Sequence, residues 1–194
     1  SGFCKSVTLL SMLGENGEYK NYIKNSLPKN INIEFIYKKD SPTIVKKRYV
    51  ETNSKTKIFG VHNINDELLG KKNEREFGKK LSKFIPKHDL IMLTDYGHGL
   101  ISDKSAKSIC KKSLFLALNA QVNASNMGYH TMDKYNNVEC VVINETELRH
   151  ETRNKSSPIK LLMKKLAKKL KIKNLIVTQG SQGSTLFTTN TKKY

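Results

Sequence analysis

The sequence predicts an α/β fold: a mostly parallel sheet with helices on both faces. Three observations lead there. Short runs rich in Leu, Ile and Val alternate with stretches whose apolar residues recur at every third or fourth position. Gly, Pro, Asn and Ser punctuate the junctions. The chain's 194 residues suffice for one domain with a sizeable core.

Taken in order, VTLLSM (Val7–Met12) reads as a strand closed by Gly14, and Tyr19, Tyr22, Ile23 and Leu27 then fall at helical spacing up to Pro28. The texture changes from about residue 31 to 63. INIEFIY, PTIVKKRYV and TKIFGVH alternate with period two between turns at Asp40–Pro42 and Thr52–Ser54. They read as short antiparallel strands, an insertion serving as a flap. Helical spacing resumes from about Asp66 to Phe84, with Leu69, Phe77, Leu81 and Phe84 inward. LIMLT is then a buried strand, and Ser102 or Asp103 caps a helix to about Lys112. LFLALN and ECVVIN are further strands, the second leading into a short helix from Glu145 to about His150. Ser157 and Pro158 open a helix striped by Ile159, Leu162, Met163, Leu166 and Leu170, with lysines opposite. NLIVTQG and STLFTT are the last strands. The striped helix reads as cover for a sheet rather than a membrane-surface helix, since strands flank it. With no repeat and no linker, residues 1–194 form one domain carrying an insertion at about 31–63.

The formal net charge is +18. Lysines are spread along the whole chain and far outnumber arginines. That pattern points to a solvated surface and away from nucleic acid, whose bases and phosphates favour arginine forks. Cys4, Cys110 and Cys140 are odd in number and far apart, so they suggest neither a disulfide framework nor zinc. No apolar run reaches the ~18 residues of a membrane helix. The expectation is a soluble, cytoplasmic protein.

In such folds ligands gather at the carboxyl ends of strands. Those ends carry Asp95, Tyr96 and Gly97; Asn119, Gln121 and Asn123; Asn144, Glu145 and Glu147; and Thr178, Gly180 and Gly183. Asn144 and Glu147 share a helical face at a strand–helix junction. They suit either a hydrated magnesium ion or an ordinary capping box. The glycines of VTQGSQG let backbone approach a phosphate. His98 is the one histidine placed near this edge, as a loop residue or a ligand contact.

Together these motifs resemble the PfkB, or ribokinase-like, carbohydrate kinases, nearest the branch that phosphorylates a heptose 7-phosphate. LLSMLGENGEY is similar to the family's first strand and turn, SPTIVKKRYVETNSKTKIFGVH to its lid, and LIMLTDYGHGLIS to its aspartate-tyrosine-glycine stretch. VVINETELR is similar to its asparagine-x-x-glutamate motif, and VTQGSQGSTLF to its nucleotide-side loop. The match follows family order over nearly the whole chain. Departures are Glu15 as the acid of the first turn, His98 where lysine is commoner, and LALNAQVNASNMGY in place of an aspartate-proline-lysine.

The resemblance implies a ribokinase-like three-layer α/β/α domain with a small β lid. It implies ATP-dependent transfer of phosphate to a sugar or sugar phosphate. Asn144 and Glu147 would organise Mg2+ through water, while Thr178, Gly180, Gly183 and Asn119 would line ATP. Lys46, Arg48 and Asp95 would face the sugar side. Lids of this family pair between subunits, so a homodimer through the lid is expected. The family's glycine-rich sugar segment would precede Ser1, and its Gly-Ala-Gly-Asp motif, with anion hole and general base, would follow Tyr194. The domain is thus expected to be incomplete at both ends. The competing reading is a noncatalytic remnant that binds a nucleotide or dimerises through its lid.

Overall fold

The computed structural model describes residues 2–122 and 128–189. Chain contacts divide it into two compact units, Ser1–Lys80 with His98–Leu100, and Leu81–Gly97 with Ile101–Tyr194. Among the described residues no helix is long and apolar enough to cross a membrane.

The first unit opens with β1 (Val7–Gly14), α1 (Lys20–Ser26) and β2 (Ile31–Lys38). β2 runs parallel to β1, in register from Val7 opposite Ile31 to Gly14 opposite Lys38. The expectation of an antiparallel strand at Ile31–Tyr37 is therefore corrected. A strand that returns through a helix must cross over, and the crossover makes the pair parallel. The antiparallel piece shrinks to β3 (Val45–Val50) and β4 (Lys57–Asn63), paired as a ribbon with a bulge at Tyr49/Val50. In the ribbon turn the Glu51 carboxylate accepts the amides of Asn53 and Ser54. α1 buries nothing, and Tyr22 is 72% exposed. Its helical spacing is real, but no core lies beneath it.

α2 spans Lys71–Phe84, with Phe77 and Leu81 buried. It starts later than the spacing suggests because other groups claim the backbone before it. The buried Lys38 ammonium donates to the Asn65 carbonyl at 2.7 Å and to the Glu67 carbonyl. The Leu69 amide goes to the Gly99 carbonyl at 3.2 Å. Carbonyls and amides so engaged cannot also start a helix. Gly99 makes this approach possible. Its φ is +82°, and a Cβ there would stand 1.8 Å from the Glu67 oxygen. Gly14 is equally constrained: a Cβ would meet Thr43 N at 2.2 Å, while its own amide donates to Thr43 Oγ1.

The second unit is a five-stranded sheet in the order β5 (Ile91–Asp95), β6 (Leu116–Ala120), β7 (Cys140–Asn144), β8 (Asn174–Thr178), β9 (Ser184–Thr188). The first four are parallel; β9 folds back antiparallel on β8. Leu116, Leu118, Val141, Ile143, Leu175 and Val177 form the buried centre. The connecting helices are α3 (Asp103–Lys112), α4 (Glu145–Thr152) and α5 (Ile159–Leu170). Every residue of the predicted α5 stripe except the half-buried Ile159 is buried, and the lysines between face out. β5 departs from expectation: it is the sheet's edge in this unit, and Met92 is 74% exposed. The fold is the mostly parallel α/β class that the sequence predicts.

The two kinds of glycine should separate on substitution. Gly180 also has positive φ (+59°), but a Cβ there meets open space. Gly180→Ala should cost about 1 kcal/mol, the left-handed penalty alone. Gly99→Ala, which adds a backbone collision, should cost about 3 kcal/mol or more. Urea unfolding of both variants measures the difference.

Candidate functional site

Four parallel strands entering helices or turns at the same end put their last residues on one edge of the second unit's sheet. Asp95 ends β5, Ala120 ends β6, Asn144 ends β7 and Thr178 ends β8. Ladder partners show the alignment directly: Asp95 lies beside Ala120, and Asn144 beside Thr178. Between β6 and β7 only Ala117–Cys140 and Leu118–Val141 pair before the strands part. There the Asn119 side-chain amide donates to the Val142 carbonyl at 2.7 Å, standing in for a ladder bond. Asn119 therefore holds two strands together. Asn123 lies outside the described residues.

Asp95 is 4% exposed. One carboxylate oxygen accepts the Gly97 amide at 3.0 Å, and the other accepts the Tyr135 hydroxyl at 2.6 Å and the Lys134 ammonium at 2.7 Å. Burial alone would push the Asp95 carboxyl up. Lys134, with Tyr135 and Gly97, outweighs burial and holds it below the usual aspartate range. Burial first, then the Asp95 charge, pushes the Tyr135 hydroxyl up, which keeps it a donor. Lys134 also donates to the Ile101 carbonyl at 2.7 Å, and His130 Nε2 lies 3.3 Å from the Asp95 carbonyl. An acid so fully solvated by protein anchors the segments around it. Lys134 and Tyr135 carried no periodic signal, which is why sequence reasoning passed over them.

His98 is not a solvent-exposed loop residue. It is buried in the first unit, its Nδ1 2.7 Å from Asp66 Oδ1.

Asn144 and Glu147 form the capping box that was one of the two readings. Asn144 Oδ1 accepts the Glu147 amide at 2.8 Å, and Glu147 Oε2 accepts the Asn144 amide at 2.8 Å. Glu147 is 4% exposed, its carboxyl pushed up by burial first, while the amides of Asn144 and Val122 pull it down. A carboxylate turned inward onto amides does not fit a direct magnesium ligand, which needs lone pairs aimed at the ion. Among the described residues no group of three or more His, Cys, Asp or Glu side chains could hold a metal.

Thr178 is exposed beside Asn144, and the loop after it is open. Gly180–Gln182 make one 3-10 turn; Gln179 donates its amide to the Gly183 carbonyl at 2.8 Å. Gly183 has φ +87° and ψ −135°, a conformation essentially reserved for glycine. Both glycines border open space, so backbone conformation and access, not packing, account for them.

Lys46 and Arg48 belong to the first unit's ribbon. Pairing sets Lys46 opposite His62 and Arg48 opposite Gly60, so one ribbon face carries Lys46, Arg48 and His62. The other carries Tyr49 and Phe59, stacked with centroids 4.4 Å apart, and Val61. Partial burial pulls the Lys46 ammonium down, against the opposing pull of Asp66.

Breaking the Asp95 anchor should be expensive because it strands a buried charge. Lys134→Met should lower unfolding free energy by about 3–5 kcal/mol. The double variant Asp95→Leu with Lys134→Met should recover part of that loss, and chemical denaturation of both would measure it.

The comparisons with known proteins agree with the α/β fold. The pfkB family carbohydrate kinase profile matches residues 2–194. The bifunctional protein HldE of Campylobacter curvus is 26% identical over 145 residues, covering 71% of this chain and 30% of that protein. Phosphofructokinase-2 from Escherichia coli, solved with fructose-6-phosphate, superposes with TM-score 0.70 at 13% identity, over 95% of this chain and 60% of its own. Ribokinase from Giardia lamblia superposes with TM-score 0.71 at 17% identity, over 97% and 58%. The chain thus spans under two thirds of each of these relatives. With its profile match running from the second residue to the last, the chain belongs to the pfkB family of carbohydrate kinases.

Proposed function

We propose that this chain forms part of an ATP-dependent kinase that phosphorylates a sugar or a sugar phosphate. One observation carries the reading: parallel strand ends on a common edge, with an open glycine turn beside Thr178 and a helix start beside Asn144. Phosphoryl transfer asks the protein mainly to position phosphates and stabilise their charge. The Gly180–Gly183 turn presents backbone to a triphosphate, and the Thr178 hydroxyl is exposed next to it. Mg2+ comes bound to the triphosphate; Asn144 and Glu147 shape the helix start instead of supplying lone pairs. Lys46 and Arg48 meet a phosphate of the sugar substrate with the cationic ribbon face. Asp95 positions its loop without touching sugar. No Gly-Ala-Gly-Asp sequence occurs in these 194 residues, so the reading gives the general base to none of them. A cytoplasmic location goes with ATP as co-substrate and with three free thiols.

Calorimetric titration with magnesium-ATP tests the nucleotide assignment. Wild type should bind, and Gly183→Val should bind at least about tenfold more weakly. Equal affinities would remove the glycine turn from the site.

A second reading, dimerisation through the lid, rests on the ribbon itself. A two-stranded ribbon is marginal in water, and here Tyr49, Phe59 and Val61 are exposed on one face. A second copy laid against that face would cover the stack. Light scattering after size exclusion should give a dimer mass for wild type and a monomer for Tyr49→Lys with Phe59→Lys. A monomeric wild type at high concentration would end this reading.

A further inference from the structure

We propose that the groove between residues 128–133 and the helices α4 and α5 binds a phosphate-bearing small molecule, at a site that the kinase reading does not use. Two adjoining cavities of about 490 and 520 Å³ meet there, sharing Thr131, His150, Glu151 and Arg153. Each is of ordinary size for a small-ligand pocket.

The rim of this groove is built by a turn that satisfies itself. Arg149 spends its donors internally: Nε and one terminal nitrogen on Glu145 at 2.9 and 2.7 Å, the other on the carbonyls of Lys155 and Ser157 at 2.8 and 3.2 Å. Arg153 takes the left-handed helix cap (φ 49°), and Asn154 Oδ1 accepts the amides of Ser156 and Ser157. The result is an ordered loop with Arg153 and Lys155 on the groove wall, and α5 adds Lys165. Among the described residues no carboxylate lies within ion-pair reach of these three cations.

The acids that do line the groove are accounted for. Asp133 is paired with Lys169 at 2.5 Å. Glu151 accepts the Met132 amide at 2.9 Å. Burial above all pushes its carboxyl up to about 7; the Met132 amide and Lys169 pull it down, and Asp133 and Glu147 push it further up. Near neutral pH much of it is a neutral acid, able to donate a hydrogen bond to an anion. Three uncompensated cations around a concavity with a protonated acid in its wall favour a phosphate over a carboxamide or a cation.

Titration of the full chain with inorganic pyrophosphate, at fixed chloride and without magnesium, tests this. Wild type should bind saturably. Lys155→Gln with Lys165→Gln should weaken binding about tenfold or more. Lys160→Gln with Lys164→Gln removes the same charge from exposed positions elsewhere on α5, and should leave affinity unchanged. Gly183→Val should also leave it unchanged, which separates this groove from the proposed ATP site. Absence of saturable binding, equal losses in the two lysine pairs, or loss with Gly183→Val would each overturn the proposal. Repeating the titration with a hexose 6-phosphate shows which source of phosphate the groove prefers; tighter, lysine-dependent binding of either supports it.

Discussion

A carboxylate taken out of water at the end of β5 has to be solvated by the chain, and in this protein three groups on two separate segments do so. Gly97 supplies an amide from the loop that follows, Tyr135 a hydroxyl and Lys134 an ammonium from the segment before β7. An isolated ionised carboxylate in that position would be prohibitively costly. The position of each segment is therefore tied to the others. Lys134 extends the constraint to the Ile101 carbonyl, next to the residue that caps α3. A stretch that looks like ligand chemistry in sequence, an acid followed by rings and glycines, proves to be the junction of the second unit. The glycines have their own reasons: Gly97 turns its amide back to Asp95, and Gly99 admits the Glu67 carbonyl.

How much of this was legible follows from the range of the forces involved. The strand–helix alternation, the parallel sheet and the α5 stripe were readable because periodicity records burial within one element. Whether β2 pairs parallel was not, because period two is the same in both orientations; only the intervening helix decides it. The start of α2 was misplaced because Lys38 and Gly99 act on residues 65–69 from far along the chain. Likewise nothing local to Asn119 says that β6 and β7 will part beside it, leaving its amide to bridge them. The strand ends were found, but what each side chain does there depends on neighbours that the sequence does not name.

Asn144 and Glu147 show the same limit from another side. A motif of an amide and an acid three residues apart meets two needs equally well: a cation's demand for oxygen, and a helix's demand for partners to its first amides. The helix lies closer, and reciprocal bonds of 2.8 Å engage both side chains with the amides at its start. Among the described residues, this edge offers a ligand the backbone and open space around Gly180 and Gly183 and the exposed Thr178 hydroxyl. That inventory is poor in charge. It suits a triphosphate that brings its own cation better than it suits a bare anion.

The charge that this edge lacks is plentiful elsewhere, yet most of the +18 does not discriminate among partners. Lys160, Lys164 and Lys168 on the outer face of α5 stand in water, where ions screen each of them. A cation matters for recognition when its field is focused by a concave wall and is not cancelled by a fixed acid. By that criterion the side chains of interest are few. Lys46 and Arg48 share a ribbon face with His62, and Arg153, Lys155 and Lys165 surround a groove whose acids are paired or partly protonated near neutral pH. Net charge says that the protein repels its own copies at long range. Placement says where an anion would be held.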